Sequence, residues 1–156
     1  MAGHSTGAPG PRGPLLSPGF WLHHAALAWR QALDTGLKPL GLTHTQFNLL
    51  GSVSWLTLTR GAPTQQEAAD LSGSDRMMAS RVLATLEERG LVAKAPDPAD
   101  ARSKRLVITD QGRALIRQAV RVAAEVDAAF FGAGAERESM LHALRDMARL
   151  GQNTPC

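Results

Sequence analysis

Apolar residues recur at helical spacing along most of the chain, and this pattern predicts a mainly helical protein. The first helix begins at Ser17-Pro18, because serine is a favoured N-cap and proline fits the first helical position, and it ends at Gly36. Two adjacent apolar rows on this helix predict burial on two sides, either in a core or against a second chain. The rows are Leu22, Ala26, Trp29 and Leu33, and Trp21, Ala25, Ala28 and Ala32.

The middle of the chain has the pattern of two helices joined by a tight turn. Residues 43–46 and 64–67 form capping boxes that begin a second and a third helix, and the third helix ends at Gly73. Ser74 or Asp75 then caps a fourth helix. A helix-turn-helix of this kind places its second helix in the major groove of DNA.

A charged, proline-containing segment follows, mounted between two short strands. Residues 91–95 and 105–109 predict the strands of a hairpin. A hairpin directly after a helix-turn-helix is a wing, and a wing can insert an arginine into the narrow, negative minor groove. Asp97 and Asp100 are predicted to hold backbone amides and to pair with Arg102, which would fix the direction of that arginine.

The outward face of the fourth helix carries side chains that can read DNA. Arg76 and Arg81 can each donate two hydrogen bonds to a guanine edge, or they are ordinary surface charges. Gln65 and Gln66 begin the third helix, where they either contact phosphate or only cap the helix. The predicted DNA-binding residues are Gln65, Arg76, Met77, Ser80, Arg81, Arg102, Ser103 and Lys104, with Asp100 as support for the wing.

Composition and charge change this picture little. A net charge of +3 permits a polyanionic partner without requiring one. No apolar run approaches the roughly 18 residues of a membrane span. Residues 1–16 are rich in Gly and Pro, which predicts a disordered tail rather than a secretory signal. The single cysteine, Cys156, cannot build a disulfide framework or a cysteine-based metal cluster, which favours a cytoplasmic protein.

The segment from Asp100-x-Arg102 to Thr109-x-x-Gly112 resembles the wing and following helix of the MarR family of winged-helix repressors. The resemblance covers roughly residues 17–150. It implies a homodimer with interlaced terminal helices, two winged lobes on one palindromic DNA operator, and a small-molecule pocket between the dimer helices and the lobe. The family often has small hydroxyl residues where this chain has Met77 and Met78. Methionine can touch a thymine methyl group, and Met78 points either to DNA or into the core.

The predicted fold is mainly α with a small β-hairpin wing: a winged helix-turn-helix that dimerises through its N- and C-terminal helices. Residues 17–42 and 110–150 are the predicted dimerisation helices, the latter broken at residues 131–135. Residues 43–109 are the DNA-binding lobe, and residues 151–156 are a C-terminal tail.

Side chains on the first two helices are candidates for the effector pocket implied by the resemblance. Pockets are lined mainly by apolar and aromatic side chains, although each of these residues is alternatively a core or surface residue. Arg30 or a histidine is a candidate contact for an anionic ligand, so the effector is expected to be an aromatic or anionic compound. The pocket candidates are Trp21, His24, Trp29, Phe47 and Trp55.

The function predicted from these features is that of a sequence-specific, DNA-binding transcriptional regulator, in the form of a repressor that a small molecule releases. A small enzyme using the His23/His24 helix is a rival, but the chain has no metal-binding motif and no nucleophile–base signature, so no metal or cofactor is predicted. A winged helix used only for protein–protein contact is a second rival, against which Arg81 and Arg102 argue.

Overall fold

The computed structural model describes residues 13–153, with side chains through residue 150, and its elements follow the predicted order. The helices and strands are α1 (Pro18–Leu37), α2 (His44–Arg60), α3 (Gln65–Ser72), α4 (Arg76–Glu88), β1 (Val92–Pro96), β2 (Lys104–Ile108), α5 (Asp110–Phe131) and α6 (Ala135–Asn153). Short 3-10 turns at Pro14–Leu16 and Lys38–Leu40 flank α1. None of the helices in this described part is long and apolar enough to cross a membrane.

Both predicted tails lie largely outside the described residues, and their inner boundaries differ from the prediction. The predicted N-terminal tail includes the 3-10 turn Pro14–Leu16, directly before the N-cap of α1. At the other end, α6 continues to Asn153, beyond the predicted start of the tail at residue 151. Cys156 is not among the described residues.

Side-chain caps fix the beginnings of the central helices. Thr43 and Thr64 complete the two predicted capping boxes, at the starts of α2 and α3. Of the two candidates for the cap of α4, Asp75 is the one used, since its carboxylate accepts the amide of Met78 at 2.9 Å. Thr109 caps α5, since its side chain accepts the amide of Gly112. These local hydrogen bonds explain why the helix starts could be predicted closely.

The predicted end of α1 is wrong. The helix continues through Gly36 to Leu37 and leads into the turn Lys38–Leu40, and the residue with left-handed backbone is Gly41, at φ 66°. Gly36 instead marks a close approach to α5, because a Cβ at this position would lie 2.7 Å from Cγ1 of Val122. The glycine therefore serves helix packing rather than helix termination.

One core joins the helix-turn-helix, the hairpin and the middle of α5. α1 enters this core only with its C-terminal half, where Leu33 and Leu37 are fully buried. The N-terminal half of α1 is exposed in the single chain, so the two predicted apolar rows are not both covered within one protomer. The largest fully buried side chains are Leu33, Leu37, Leu49, Leu50, Val53, Leu83, Leu86, Leu91, Val92, Leu106 and Ile108.

The hairpin is attached to the helix-turn-helix through its backbone. Its strands are antiparallel, with Val92 opposite Ile108, and each lies one residue from its predicted place. The amide of Leu106 in β2 donates to the carbonyl of Pro63, in the loop between α2 and α3, at 2.7 Å. The wing is thus tied to the helices by a main-chain bond as well as by its apolar side chains.

We expect Gly112→Ala to lower the free energy of unfolding by about 1–3 kcal/mol, the usual cost of overpacking. A Cβ at Gly112 would overlap the carbonyl oxygen of Leu91, which is backbone and cannot rotate away. Gly51→Ala in α2 is the matched control, because its Cβ would meet only Cδ1 of Ile116, at 3.7 Å. That control should gain up to about 1 kcal/mol from helix propensity.

Chemical denaturation at one fixed protein concentration measures both variants of this glycine pair. A Gly112→Ala protein as stable as the wild type would contradict the close approach between the start of α5 and the residue before β1.

Candidate nucleic-acid interface

The exposed face of α4 carries the side chains predicted to read DNA. Its opposite face is buried through Ala79, Leu83 and Leu86, so packing alone decides which residues point outward. Neither Arg76 nor Arg81 forms an ion pair with any other described residue. An unpaired cationic helix face is suited to a polyanionic partner. The outward residues are Arg76, Met77, Ser80, Arg81 and Ala84.

The two methionines of α4 both lie at the surface. Met77 is 75% exposed and Met78 is 41% exposed. This excludes the core alternative for Met78. Contact of either side chain with a thymine methyl group stays a prediction.

Asp100 shapes the tip of the wing through local hydrogen bonds. One carboxylate oxygen accepts the backbone amide of Arg102 at 2.9 Å, and the other accepts the hydroxyl of Ser103 at 3.2 Å. Asp100 therefore holds a backbone amide, as predicted. The predicted ion pair with the Arg102 side chain is wrong, because the tight turn uses both carboxylate oxygens locally. Arg102 and Lys104 are exposed and form no ion pair within the described part of the chain.

The base of the wing is held by an ion pair that the sequence did not reveal. Asp97 is only 8% exposed, and its carboxylate accepts from Nε of Arg105 at 2.6 Å and from the amide of Ala99 at 2.9 Å. Arg105 also donates through Nη1 to the carbonyl of Ala62, at 3.3 Å, and lies 3.4 Å from the carboxylate of Glu67 in α3. Asp97 therefore pairs with Arg105, and the prediction that it pairs with Arg102 is wrong.

The sequence carried no signal for this partner choice. Strand alternation separates the two faces of β2, but only the docking of the hairpin decides which helix one of those faces meets. We call the contacts of Arg105 with Asp97, Ala62 and Glu67 the wing anchor.

The two carboxylates of the wing anchor, those of Asp97 and Glu67, have lowered pKa values. The amide of Ala99, followed by the guanidinium of Arg105, holds the pKa of Asp97 below its usual range despite burial. The backbone amide of Thr64 is the main cause of the lowered pKa of Glu67, and Arg105 contributes. Both carboxylates are consequently charged at neutral pH.

The two glutamines at the start of α3 have different surroundings. Gln66 donates to the carboxylate of Asp70 at 2.7 Å, and the helix is capped by Thr64 and Glu67. Neither glutamine is therefore the cap of α3. Gln65 is half-buried, and its contact with phosphate remains a prediction.

The five candidates for the effector pocket do not come together in the single chain. Trp21 and His24 lie on the exposed half of α1, where the ring of Phe20 meets Trp21 edge-on and His24 at a tilt. Trp29 and Phe47 pack partly buried against the core. Trp55 is 60% exposed and lines a separate cavity between α2 and α3.

A cavity of about 560 Å³ lies between α1 and the start of α2. Arg30, Asp34, Lys38 and His44 line it, together with residues 41–43 and 45. Among the predicted aromatic candidates, Trp29 contacts a residue that lines this cavity. Its ring packs edge-on against the ring of His44, and the two centroids are 5.5 Å apart.

His44 contributes a neutral imidazole to this cavity. Burial, and then the positive charge of Arg30, lower the pKa of His44, and Asp34 opposes them only in part. The described residues contain no group of three His, Cys, Asp or Glu side chains that could hold a metal ion.

Comparisons with known proteins agree with this geometry. Residues 42–104 match the model of the MarR family. The uncharacterized HTH-type transcriptional regulator YdcH of Bacillus subtilis (strain 168) is 33% identical over 137 residues, which cover 88% of this chain and 93% of that protein.

Two solved structures are similar over most of the chain. BpsR of Bordetella bronchiseptica, whose DNA binding is regulated by 6-hydroxynicotinic acid, has a TM-score of 0.80 and 27% identity, over 89% of this chain and 98% of its own. The transcriptional regulator MOSR of M. tuberculosis, solved in complex with DNA, has a TM-score of 0.68 and 32% identity, over 87% and 94%. The winged helix-turn-helix architecture is thus shared with these regulators.

We expect the wing anchor to weaken only as the pH falls through the lowered pKa of Asp97. A pKa that is lower in the folded chain than in the unfolded chain stabilises the fold above the unfolded-state pKa, and this stabilisation disappears in acid. Arg105→Ala should raise the pKa of Asp97 only partway to its usual value, because the amide of Ala99 is the larger cause. Arg102→Ala is the control and should leave it unchanged. NMR titration of the carboxyl carbon measures all three proteins, and equal midpoints in wild type and Arg105→Ala would contradict the wing anchor.

Proposed function

This chain belongs to the MarR family of transcriptional regulators, and from that premise we propose that it binds a two-fold DNA operator as a homodimer and represses transcription until a small ligand releases it. One observation carries the proposal. The cations on the outer side of the lobe, Arg76, Arg81, Arg102 and Lys104, have no carboxylate partner among the described residues. Arg105, by contrast, is used entirely inside the lobe.

The geometry of the lobe supports a DNA complex with contacts in two grooves. α4 would enter the major groove, where Arg76, Ser80 and Arg81 can donate to base edges. The wing tip would place Arg102 in the adjacent minor groove, with Lys104 at the phosphates. The similarity to MOSR, which was solved with DNA, supports this arrangement.

A second copy of the chain is the proposed partner for the apolar surface of the terminal helices. Folded monomers rarely expose so many large apolar side chains, since each leaves apolar area in water. Residues 17–42 and 110–150 would supply the dimer interface, and two copies would hold their α4 helices about 34 Å apart, one turn of DNA. The exposed side chains concerned are Trp21, Leu22, Leu27, Val120, Phe130, Met140, Leu141 and Met147.

The cavity between α1 and α2 is the proposed ligand site. Arg30 and Lys38 supply positive charge, and Arg30 forms no ion pair within the described residues. His44 offers a neutral ring beside them. This combination suits an aromatic carboxylate, the chemical class of the 6-hydroxynicotinic acid that regulates BpsR. A ligand that favours a different lobe position would shift the population away from the DNA-binding state.

We expect Arg102→Ala to weaken operator binding by about 1–3 kcal/mol while its unfolding midpoint stays that of the wild type. The side chain of Arg102 forms no hydrogen bond or ion pair with the rest of the described chain, so the loss should be confined to DNA. Asp100→Ala should weaken binding less, by loosening the turn that holds the same residue. Lys104→Ala is the control, since a phosphate contact should lower affinity for all sequences and reduce the salt dependence.

Fluorescence anisotropy with DNA flanking the protein's own gene, and with random DNA, measures these variants of the wing. Operator affinity unchanged by Arg102→Ala would remove the wing from the interface.

We expect the full chain to sediment as a dimer at micromolar concentration and to unfold at a midpoint that rises with protein concentration. Leu22→Asp combined with Leu141→Asp should give a monomer whose operator affinity falls toward the non-specific level. Leu58→Asp is the matched control, because Leu58 is 74% exposed but lies in the DNA-binding lobe. A folded wild-type monomer that still protects a two-fold site would contradict the dimer proposal.

A further inference from the structure

The segment that links α1 to α2 forms one wall of the cavity and is held from two sides. We call residues 38–45 the connector: the linking residues 38–43 together with the first two residues of α2. Six of its residues line the cavity. On the α1 side, the carboxylate of Asp34 accepts the amide of His44 at 2.6 Å. On the other side, Nη1 of Arg89 donates to the carbonyl of Gly41 at 2.8 Å. The connector is therefore held between α1, a proposed dimer helix, and the end of α4. Because α4 is the helix proposed to enter the major groove, we call it the recognition helix.

Arg89 is placed to move with α4. It is the C-cap residue of that helix, and its amide still donates to the carbonyl of Thr85, at 3.1 Å, so its backbone continues the last turn. Its guanidinium also lies 3.5 Å from the side-chain oxygen of Gln46, which accepts the amide of Thr43 in the capping box of α2. A displacement of the connector thus reaches α4 through one half-buried side chain.

An ion pair on the same turn of α4 provides a contrast to the hydrogen bonds of Arg89. Nζ of Lys94 lies 2.9 Å from Oε2 of Glu87, and this ion pair joins α4 to β1, not to the cavity. The C-terminal end of α4 is thus joined to the wing by Glu87 and to the cavity wall by Arg89. Of these two contacts, only that of Arg89 reaches the connector.

We propose that Arg89 is a positioning residue that couples the ligand cavity to the recognition helix. A ligand that displaces the connector pulls on the Gly41 carbonyl and, through Arg89, changes the orientation of α4. This inference rests on the proposed function, because it supplies the route by which the cavity regulates DNA affinity.

A double-mutant cycle on the full-length protein tests the route without any ligand. Asp34→Ala frees the connector on the side away from Arg89 and should weaken operator binding by about fivefold or more, the lower end of typical allosteric coupling. In an Arg89→Ala background the same change should cost less than about twofold, because the route from the connector to α4 is already cut. This difference exceeds the roughly twofold margin within which the effects of independent sites add. Glu87→Gln is the matched control, in which Asp34→Ala should keep its full effect. Additive effects of Asp34→Ala and Arg89→Ala would overturn the proposal, as would an inert Asp34→Ala.

Arg89→Lys keeps a charged donor for the Gly41 carbonyl but lacks the planar guanidinium, and should retain part of the coupling. It takes the place of Arg89→Ala in the cycle if circular dichroism shows that the alanine variant is unfolded.

Ligand release, tested with 6-hydroxynicotinic acid and benzoic acid as probes, separates this proposal from the proposed function. Saturating probe should raise the operator Kd of the wild type by about fivefold or more, and that of Arg89→Ala by less than about twofold. If neither probe acts on the wild type while the cycle is non-additive, the ligand class is wrong and the coupling stands. If a probe releases wild type and Arg89→Ala equally, the coupling is overturned and the proposed function stands.

Discussion

The contact between Arg105 and Asp97 fixes the one distance on which the candidate interface depends, that between the wing and the helices of the lobe. A two-stranded hairpin is marginal by itself in water, so its orientation must come from outside the hairpin. Arg105 supplies it by joining a buried carboxylate of the wing to the loop before α3 and to α3 itself. Together with the backbone bond from Leu106 to Pro63, this contact holds the wing against the helices that carry the outward face of α4.

The charged side chains of the lobe divide into two groups with different tasks. Arg105 and Lys94 are paired with carboxylates and position elements relative to one another, and Arg89 does so through a backbone carbonyl. Arg81 and Arg102 are left without such partners in the described chain. Because a buried or paired cation is already neutralised, the second group is the one able to displace counterions from DNA. The proposed DNA contact therefore depends on which cations the fold leaves without a carboxylate partner.

The terminal helices show the same logic for apolar surface. α1 contributes its C-terminal half to the core, and the close contact at Gly36 sets its distance from α5. Its N-terminal half and α6 keep apolar side chains in water, which a second chain would cover. The proposed ligand cavity lies where the buried half of α1 meets the start of α2, between the assembly surface and the lobe. This position suits the connector to the proposed coupling between them.

The sequence by itself determined the elements, because their signals are local. Capping boxes at Thr43 and Thr64 fixed helix starts, and the apolar face of α4 decided which of its residues face outward. Because the outward face of α4 is fixed by this local pattern, the candidates for contact with DNA on α4 could be chosen from the sequence.

Contacts between residues distant in sequence were decided only by the tertiary structure. Gly36 was predicted to end α1 because glycine often terminates helices, but the nearness of Val122 gives it a packing role instead. Asp97 could be assigned a nearby arginine, but not the right one, because Arg105 is chosen by how the hairpin docks on α3. The aromatic pocket candidates were scattered for the same reason: helical spacing orders side chains along one helix, and only packing between helices determines which of them share a cavity.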